Sequence, residues 1–216
     1  MLHDRSVPTQ RRHAMKKIGI AGTGRLGAAL ASRLVQAGYE VVLANRRGPG
    51  SLGNLIRELG PNAYAGTLET VAAQAVVVLA MRWEDMREAI AGLGTLAGRI
   101  VIDTTNPYME KDGQLSLIDI GKRTSSEIVA SLIPDARLVK AFNTLAANTL
   151  AADPELAGGG RRVMFVSGDH VPSKELVKNI ASTVGWVPLD LGGLVAGGQL
   201  QQAGGPLAGI DLIRVA

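Results

Sequence analysis

Three features of the chain together predict an α/β fold with a doubly wound parallel sheet. First, the short apolar run Ile18 to Ala21 leads into Gly22-Thr23-Gly24-Arg25-Leu26-Gly27, and an apolar-rich segment of helical spacing follows. A G-x-G-x-x-G set between a strand and a helix is the pattern of a dinucleotide-binding turn. Second, strand-like runs alternate with helical segments as far as Asn143, as a parallel sheet requires. Third, runs such as Ala75 to Ala80 (AVVVLA) are continuously apolar and β-branched, which suits strands covered on both faces. A Rossmann-type sheet with a small C-terminal α/β extension meets all three.

In the opening unit each glycine has its own reason. Gly22 allows the tight turn, Gly24 has no side chain to hold off a pyrophosphate, and Gly27 lets the helix pack close to the strand. The helix start offers free N–H groups and a positive dipole end to phosphates. Leu26, Ala29, Leu30, Leu34 and Ala37 recur at helical spacing, and Gly38 ends the helix. Tyr39 to Ala44 (YEVVLA) is the second strand. Gly48-Pro49-Gly50 turns the chain, and Ser51 is expected to cap a helix from Leu52 to Leu59.

Asn62 to Ala65 is a short third strand, and Thr67 is expected to cap a brief helix through Val71. Ala75 to Ala80 is the fourth strand, Trp83 to Leu93 a helix, and Gly98 to Asp103 (GRIVID) the fifth strand. A polar loop from Tyr108 leads to a helix, Ser125 to Leu132, with Ser125 or Ser126 as its cap, and Arg137 to Phe142 (RLVKAF) is the sixth strand. Beyond Asn143 the pattern changes. Leu145 to Leu156 is partly helical, Gly158-Gly159-Gly160 is a break, Arg162 to Ser167 a strand, Pro172 to Val184 a helix and Val187 to Leu191 a last strand. This unit either extends the sheet or forms a lobe. Gly192 to Ala216 holds seven glycines and two charged residues, Asp211 and Arg214, a poor composition for an ordinary surface tail. Gly192 to Gly209 is suited instead to lie along a flat ligand or a partner subunit. The expected division is a disordered tail over 1–14, a dinucleotide-binding domain over 15–144 and a C-terminal lobe over 145–216.

Composition narrows the function. The chain of 216 residues has no cysteine, which excludes disulfides, cysteine-ligated zinc and a thiol nucleophile, and fits a cytoplasmic location. A net charge of +4, with part of the excess in the first seventeen residues and only 3% aromatics, argues against nucleic-acid binding. Met1 to Ala14 is polar and basic and lacks the apolar core of a secretory signal, with Met15 a second candidate start. No apolar run approaches the length of a membrane span.

The end of the second strand decides which dinucleotide binds. NAD sites place an acid there to accept from the ribose 2′-hydroxyl. Here the strand ends Ala44-Asn45-Arg46-Arg47. Guanidinium groups suit a 2′-phosphate, and Asn45 adds a neutral hydrogen bond, so NADP(H) is the expected cofactor.

Groups for other chemistry are scarce. His3 and His13 lie in the tail, and His170 reads as a surface or capping residue. No cluster has metal-ligand spacing, and no G-x-S-x-G elbow is present. Asp103 reads as a turn-former, and Lys140 as a proton donor or a lysine snorkelling at the sheet edge. No catalytic acid or base is assigned. Hydride transfer between two bound molecules asks for orientation and a dry slot rather than protein acids.

The segments GIAGTGRLGAALA, LANRRGPGSL, AGT, VVVLAMRWEDM, IVIDTTNPY and LVKAFNTL occur in this order between Lys16 and Leu145. Together they resemble the NADP oxidoreductase, coenzyme F-420-dependent family. The resemblance implies a homodimeric Rossmann protein that exchanges hydride between NADPH and an oxidised deazaflavin. It implies NADP(H) on Gly22, Thr23, Gly24, Arg25, Leu26, Gly27, Asn45 and Arg46, with Arg47 beside them. It places the nicotinamide against Ala80, Met81 and Asn106, near Phe142 and Asn143. Where relatives read Val-Pro-Trp after the fourth strand, this chain reads Met81-Arg82-Trp83, which alters the acceptor slot. The expected second substrate is therefore a small redox acceptor, deazaflavin or flavin-like. The alternatives are a dinucleotide sensor without turnover and an imine, carbonyl or ferric reductase on the same fold.

Overall fold

The computed structural model describes residues 16–215; the tail assigned to 1–14 and the start at Met15 lie outside the described residues. The chain runs β1 (Lys17–Ala21), α1 (Arg25–Gln36), β2 (Glu40–Ala44), a 3-10 turn (Pro49–Leu52), α2 (Gly53–Leu59), β3 (Ala63–Ala65), α3 (Leu68–Ala72) and β4 (Val76–Leu79). Then follow α4 (Met86–Leu93), β5 (Ile100–Asp103), the hairpin β6 (Tyr108–Lys111) and β7 (Gln114–Leu117), α5 (Ser125–Leu132) and β8 (Arg137–Ala141). The last third adds α6 (Ala147–Ala151), β9 (Arg161–Gly168), α7 (Val171–Val184), β10 (Val187–Asp190), α8 (Ala196–Gln201) and β11 (Ile213–Arg214).

The main sheet has the order β10-β9-β8-β5-β4-β1-β2-β3, with β11 on β9. The six strands from β3 to β8 are parallel. β9 then runs antiparallel to β8, and β10 parallel to β9, so the C-terminal third continues the same sheet. Side chains alternate across it. Val76 and Val78 pack in one core cluster with Ile18, Ile20 and Leu34, while Val77 and Leu79 pack in another with Val101 and Met86. A strand buried on both faces favours apolar residues throughout, and AVVVLA has no polar member.

Several local expectations are corrected. Ser51 does not cap a helix; the segment begins as a 3-10 turn, and the Ser51 hydroxyl faces Gly48 O and Asn45 Oδ1. The cap of α5 is Thr124, one residue earlier than expected, in a reciprocal capping box with Glu127. The polar loop after β5 contains a hairpin, and β7 is exposed along its whole length. Thr67 and His170 do cap their helices, accepting from Thr70 N and Ser173 N.

Lys140 is the largest correction. It does not snorkel at an edge, because β8 lies inside the sheet and the lysine is fully buried. Its Nζ lies 3.0 Å from Asp103 Oδ2 and donates to the Thr105 carbonyl at 2.6 Å. Asp103 Oδ2 also accepts from Ser126 Oγ at 2.9 Å, and Oδ1 accepts from Thr105 N and Oγ1 at 2.8 and 2.7 Å. A buried pair loses its Coulombic compensation when one member is removed. Lys140→Met is therefore expected to destabilise the protein by roughly 3–5 kcal/mol in equilibrium denaturation. The double variant Lys140→Met/Asp103→Leu should be the more stable of the two, since it buries no unpaired charge.

Candidate functional site

The strand ends that carry the predicted site are locked to one another by backbone hydrogen bonds. Gly22 N–H donates to Ala44 O at 2.9 Å, Ala80 N–H to Ala21 O at 2.8 Å, and Thr104 N–H to Leu79 O at 3.3 Å, with the Thr104 hydroxyl adding a side-chain bond to the same carbonyl at 2.8 Å. At Gly22 φ is +110°, and a β-carbon there would collide with the Ala80 carbonyl. A β-carbon on Gly27 would collide with the Gly22 carbonyl, so the first turn of α1 sits directly against the glycine turn. Gly24 is different: a β-carbon there meets nothing within 4 Å and points into open space. No side chain caps α1 and no acid stands in its first turn, which leaves its N-terminal N–H groups for an anion.

A cleft of about 410 Å³ opens over this turn. It is lined by Ala21, Gly22, Thr23 and Gly24 from the turn, Asn45, Arg46 and Arg47 from the end of β2, Ala80, Met81 and Arg82 from the end of β4, and Leu68, Asp85 and Ala89 from α3, α4 and the turn before it. A second pocket of about 210 Å³ adjoins it through Ala80, Met81 and Arg82. Its other walls are Leu26, Trp83, Glu84, Thr104, Thr105, Asn106 and the hairpin residues Tyr108, Glu110 and Leu115.

Most of the predicted residues are therefore brought together. Gly22, Thr23, Gly24, Asn45, Arg46, Arg47, Ala80 and Met81 line the first cleft, and Leu26 and Asn106 line the second. Gly27 lies behind the turn, and Arg25 is exposed at the start of α1. Phe142, with φ of +60°, is buried against Trp186 at a ring distance of 5.4 Å, and lines neither pocket. Asn143 stands one layer back: its Nδ2 donates to Asn106 Oδ1 at 3.2 Å, and Asn106 Nδ2 donates to Asn143 O at 2.8 Å. The glycine-rich segment Gly192 to Gly209 lines neither pocket. It packs on the chain instead, with Gln201 fully buried and donating to Lys140 O and Asn143 Oδ1.

Asn45 is a brace as well as a wall. Its Nδ2 donates to Thr23 Oγ1 at 3.0 Å, and its Oδ1 accepts from Arg47 N at 2.8 Å, which ties the glycine turn to the loop after β2. Arg46 reaches across the cleft: its Nη1 lies 2.9 Å from Asp85 Oδ1 and 3.8 Å from Glu88 Oε2. Arg82 Nε donates to the other oxygen of Asp85, also at 2.9 Å. That hydrogen bond, and then the Asp85 charge, push Arg82 further above its ordinary pKa, so it is a fixed cation. Asp85 and Tyr108 also line the two pockets and are not among the residues expected there. Of the two partners of Asp85, Arg82 is three positions away but Arg46 is 39, and Tyr108 opens the unforeseen hairpin.

A parallel sheet with a glycine turn at its switch point and a cleft over a helix start that no side chain caps is the build of an NADP-binding Rossmann protein. Residues 17–107 match the model of the NADP oxidoreductase, coenzyme F420-dependent family. It is 31% identical over 185 residues to metalloreductase STEAP3 of Rattus norvegicus; the match takes in 86% of this chain and 36% of that protein's length. It is 27% identical over 194 residues to the F420-dependent NADP reductase of Methanothermobacter marburgensis, covering 83% of this chain and 85% of that protein. The crystal structure of hypothetical protein SMa0349 from Sinorhizobium meliloti superposes with a TM-score of 0.86 at 37% identity, over 96% of this chain and 100% of that one.

Because Gly24 borders open space, a side chain there obstructs a ligand and not the fold. Gly24→Val is expected to leave the melting temperature near that of the wild type while abolishing NADPH binding in calorimetric titration.

Proposed function

We propose that the protein is an NADPH-dependent oxidoreductase that passes a hydride to a flat, deazaflavin or flavin-like acceptor bound in the second pocket. The observation that carries this function is the shared wall. Ala80, Met81 and Arg82 border both cavities, so two molecules seated there meet over the end of β4. When bound, the reduced dinucleotide supplies the hydride, and solvent completes the proton count on the acceptor.

The chain's own residues bind and orient. Thr23, Gly24 and the N–H groups at the start of α1, with Arg25, Leu26 and Gly27 in its first turn, receive the pyrophosphate between them. Asn45, Arg46 and Arg47 take the adenosine ribose and its 2′-phosphate, where the absence of an acid at the end of β2 favours the phosphorylated dinucleotide. Leu68 and Ala89 give the adenine an apolar seat. Ala80, Met81 and Asn106 hold the nicotinamide, Asn143 acts through Asn106, and Phe142 stands behind them in the core. Orientation of this kind accounts for hydride transfer without a protein acid or base at the reacting carbon.

We propose further that the protein works as a cytoplasmic homodimer, with residues 15–144 binding the cofactor and the β6–β7 hairpin and the C-terminal lobe over 145–216 contributing to the subunit contact. Support comes from exposed apolar side chains on the hairpin and the C-terminal segment, Leu115, Leu117, Val195 and Leu200 among them. Leu117 lies beside Gly204, which joins the two groups into one surface.

A second function, reduction of a carbonyl or imine, is favoured by one observation: Tyr108 lines the second pocket and could donate a proton to a nascent alkoxide or amide. NADPH oxidation measured with a deazaflavin, a flavin, a ferric chelate and a small carbonyl separates the possibilities. Turnover with the deazaflavin or flavin is expected; tight NADPH binding with no turnover on any of the four would indicate a sensor. Tyr108→Phe should leave flavin-type turnover within about twofold, whereas a loss of roughly a hundredfold in carbonyl turnover would mark Tyr108 as the proton donor of the second function. Arg46→Ala is expected to weaken NADPH by roughly tenfold or more and NADH little; equal losses would refute the 2′-phosphate assignment.

A further inference from the structure

We propose that Arg82 is a second specificity-determining guanidinium for the 2′-phosphate, held in that role by Asp85. The chain would then recognise the phosphate with residues from the ends of two strands, β2 and β4. This rests on the first cleft being an NADP(H) site, and it assigns a phosphate ligand in the turn where this chain departs from the pattern of its relatives.

The geometry is that of a shared carboxylate. Asp85 takes Arg46 Nη1 on Oδ1 and Arg82 Nε on Oδ2, each at 2.9 Å, with its own side chain only 19% exposed. Opposite oxygens of one carboxylate fix the two guanidiniums side by side, and both line the cleft with Arg47. Arg82 gives only its Nε–H to this bond. Its terminal N–H groups donate to nothing among the described residues, and its side chain is 59% exposed. A planar fork with unused donors, turned to a cleft, is what a phosphate monoester takes.

Charge decides whether Arg82 is needed. Arg46 faces two acids, Asp85 and Glu88. Without Arg82, the two guanidiniums at the end of β2 are balanced by these two carboxylates, and no net charge remains to attract a group carrying nearly two negative charges. Arg82 brings the cleft lining to three guanidiniums against one carboxylate, Asp85, while Glu84 and Glu110 face Arg82 from the second pocket. Arg82 also keeps Asp85 neutralised when Arg46 turns towards a phosphate, so the incoming anion does not meet a bare carboxylate.

Arg82 borders the second pocket as well, so the rival assignment is an acceptor contact. A nucleotide fragment without nicotinamide separates the two. The full chain and its Arg82→Met and Arg82→Lys variants would be titrated calorimetrically with 2′,5′-ADP and with 5′-AMP. Arg82→Met is expected to weaken 2′,5′-ADP by about five- to tenfold, at the modest end for a guanidinium so open to solvent, and to leave 5′-AMP unchanged. Arg82→Lys should recover part of the loss, as a point charge without the fork. An Arg82→Met variant that binds 2′,5′-ADP like the wild type, or that loses both nucleotides equally, overturns the assignment. A wild type that binds the two nucleotides alike would overturn the NADP(H) reading of the cleft itself; a wild type that separates them beside an Arg82→Met variant that separates them equally well would overturn the role of Arg82 alone.

Discussion

The site depends on the contact between the backbone at Gly22 and the carbonyl of Ala80. Three strand ends meet there, with Gly22 bonded to Ala44, Ala80 bonded to Ala21, and no space for a β-carbon between them. That closeness brings the glycine turn, the Asn45–Arg47 rim and the Ala80–Arg82 wall around one cleft. It also seats the start of α1 against the turn, since Gly27 packs on Gly22. A side chain at either glycine would force the strand ends apart and spread the cleft, whatever the rest of the sequence did.

Behind the second pocket lies a different constraint. The buried pair Lys140–Asp103 holds the Thr104–Asn106 loop through Thr105, and Gln201 bonds Lys140 O, Asn143 and Ser167. Asn106 Oδ1 accepts from Asn143 and from Ala203 N. The C-terminal segment thus sets the pocket wall from behind without touching its cavity. Each polar group in this network has a partner, which is the condition under which buried polar side chains specify a single arrangement.

The parallel strands were legible because burial on both faces gives continuous apolar runs, as in AVVVLA and the IVI of GRIVID. The glycine turn and Asn45-Arg46-Arg47 were legible because their chemistry is local. The β6–β7 hairpin was not, since YMEK and QLSL are almost wholly exposed and carry no alternation of burial. Lys140 was misread because a lysine inside a two-faced strand is expected at an edge; only its pairing with Asp103 across neighbouring strands explains it. In the Arg46–Asp85–Arg82 cluster Arg82 and Asp85 stand three positions apart, but Arg46 comes from 39 positions away, and nothing in the local pattern announces that contact. The C-terminal glycines showed their packing role only through what their missing β-carbons would strike, as at Gly197 against Ser167.

The central claim is that the cleft reads a phosphorylated dinucleotide by charge at the rim and by backbone at the turn. Titration of the wild-type protein with NADPH and with NADH, at low and at moderate salt, tests it most directly. A 2′-phosphate reader predicts NADPH tighter than NADH by roughly tenfold or more, with the gap narrowing as salt screens the rim. Equal affinities at both salt concentrations would contradict it.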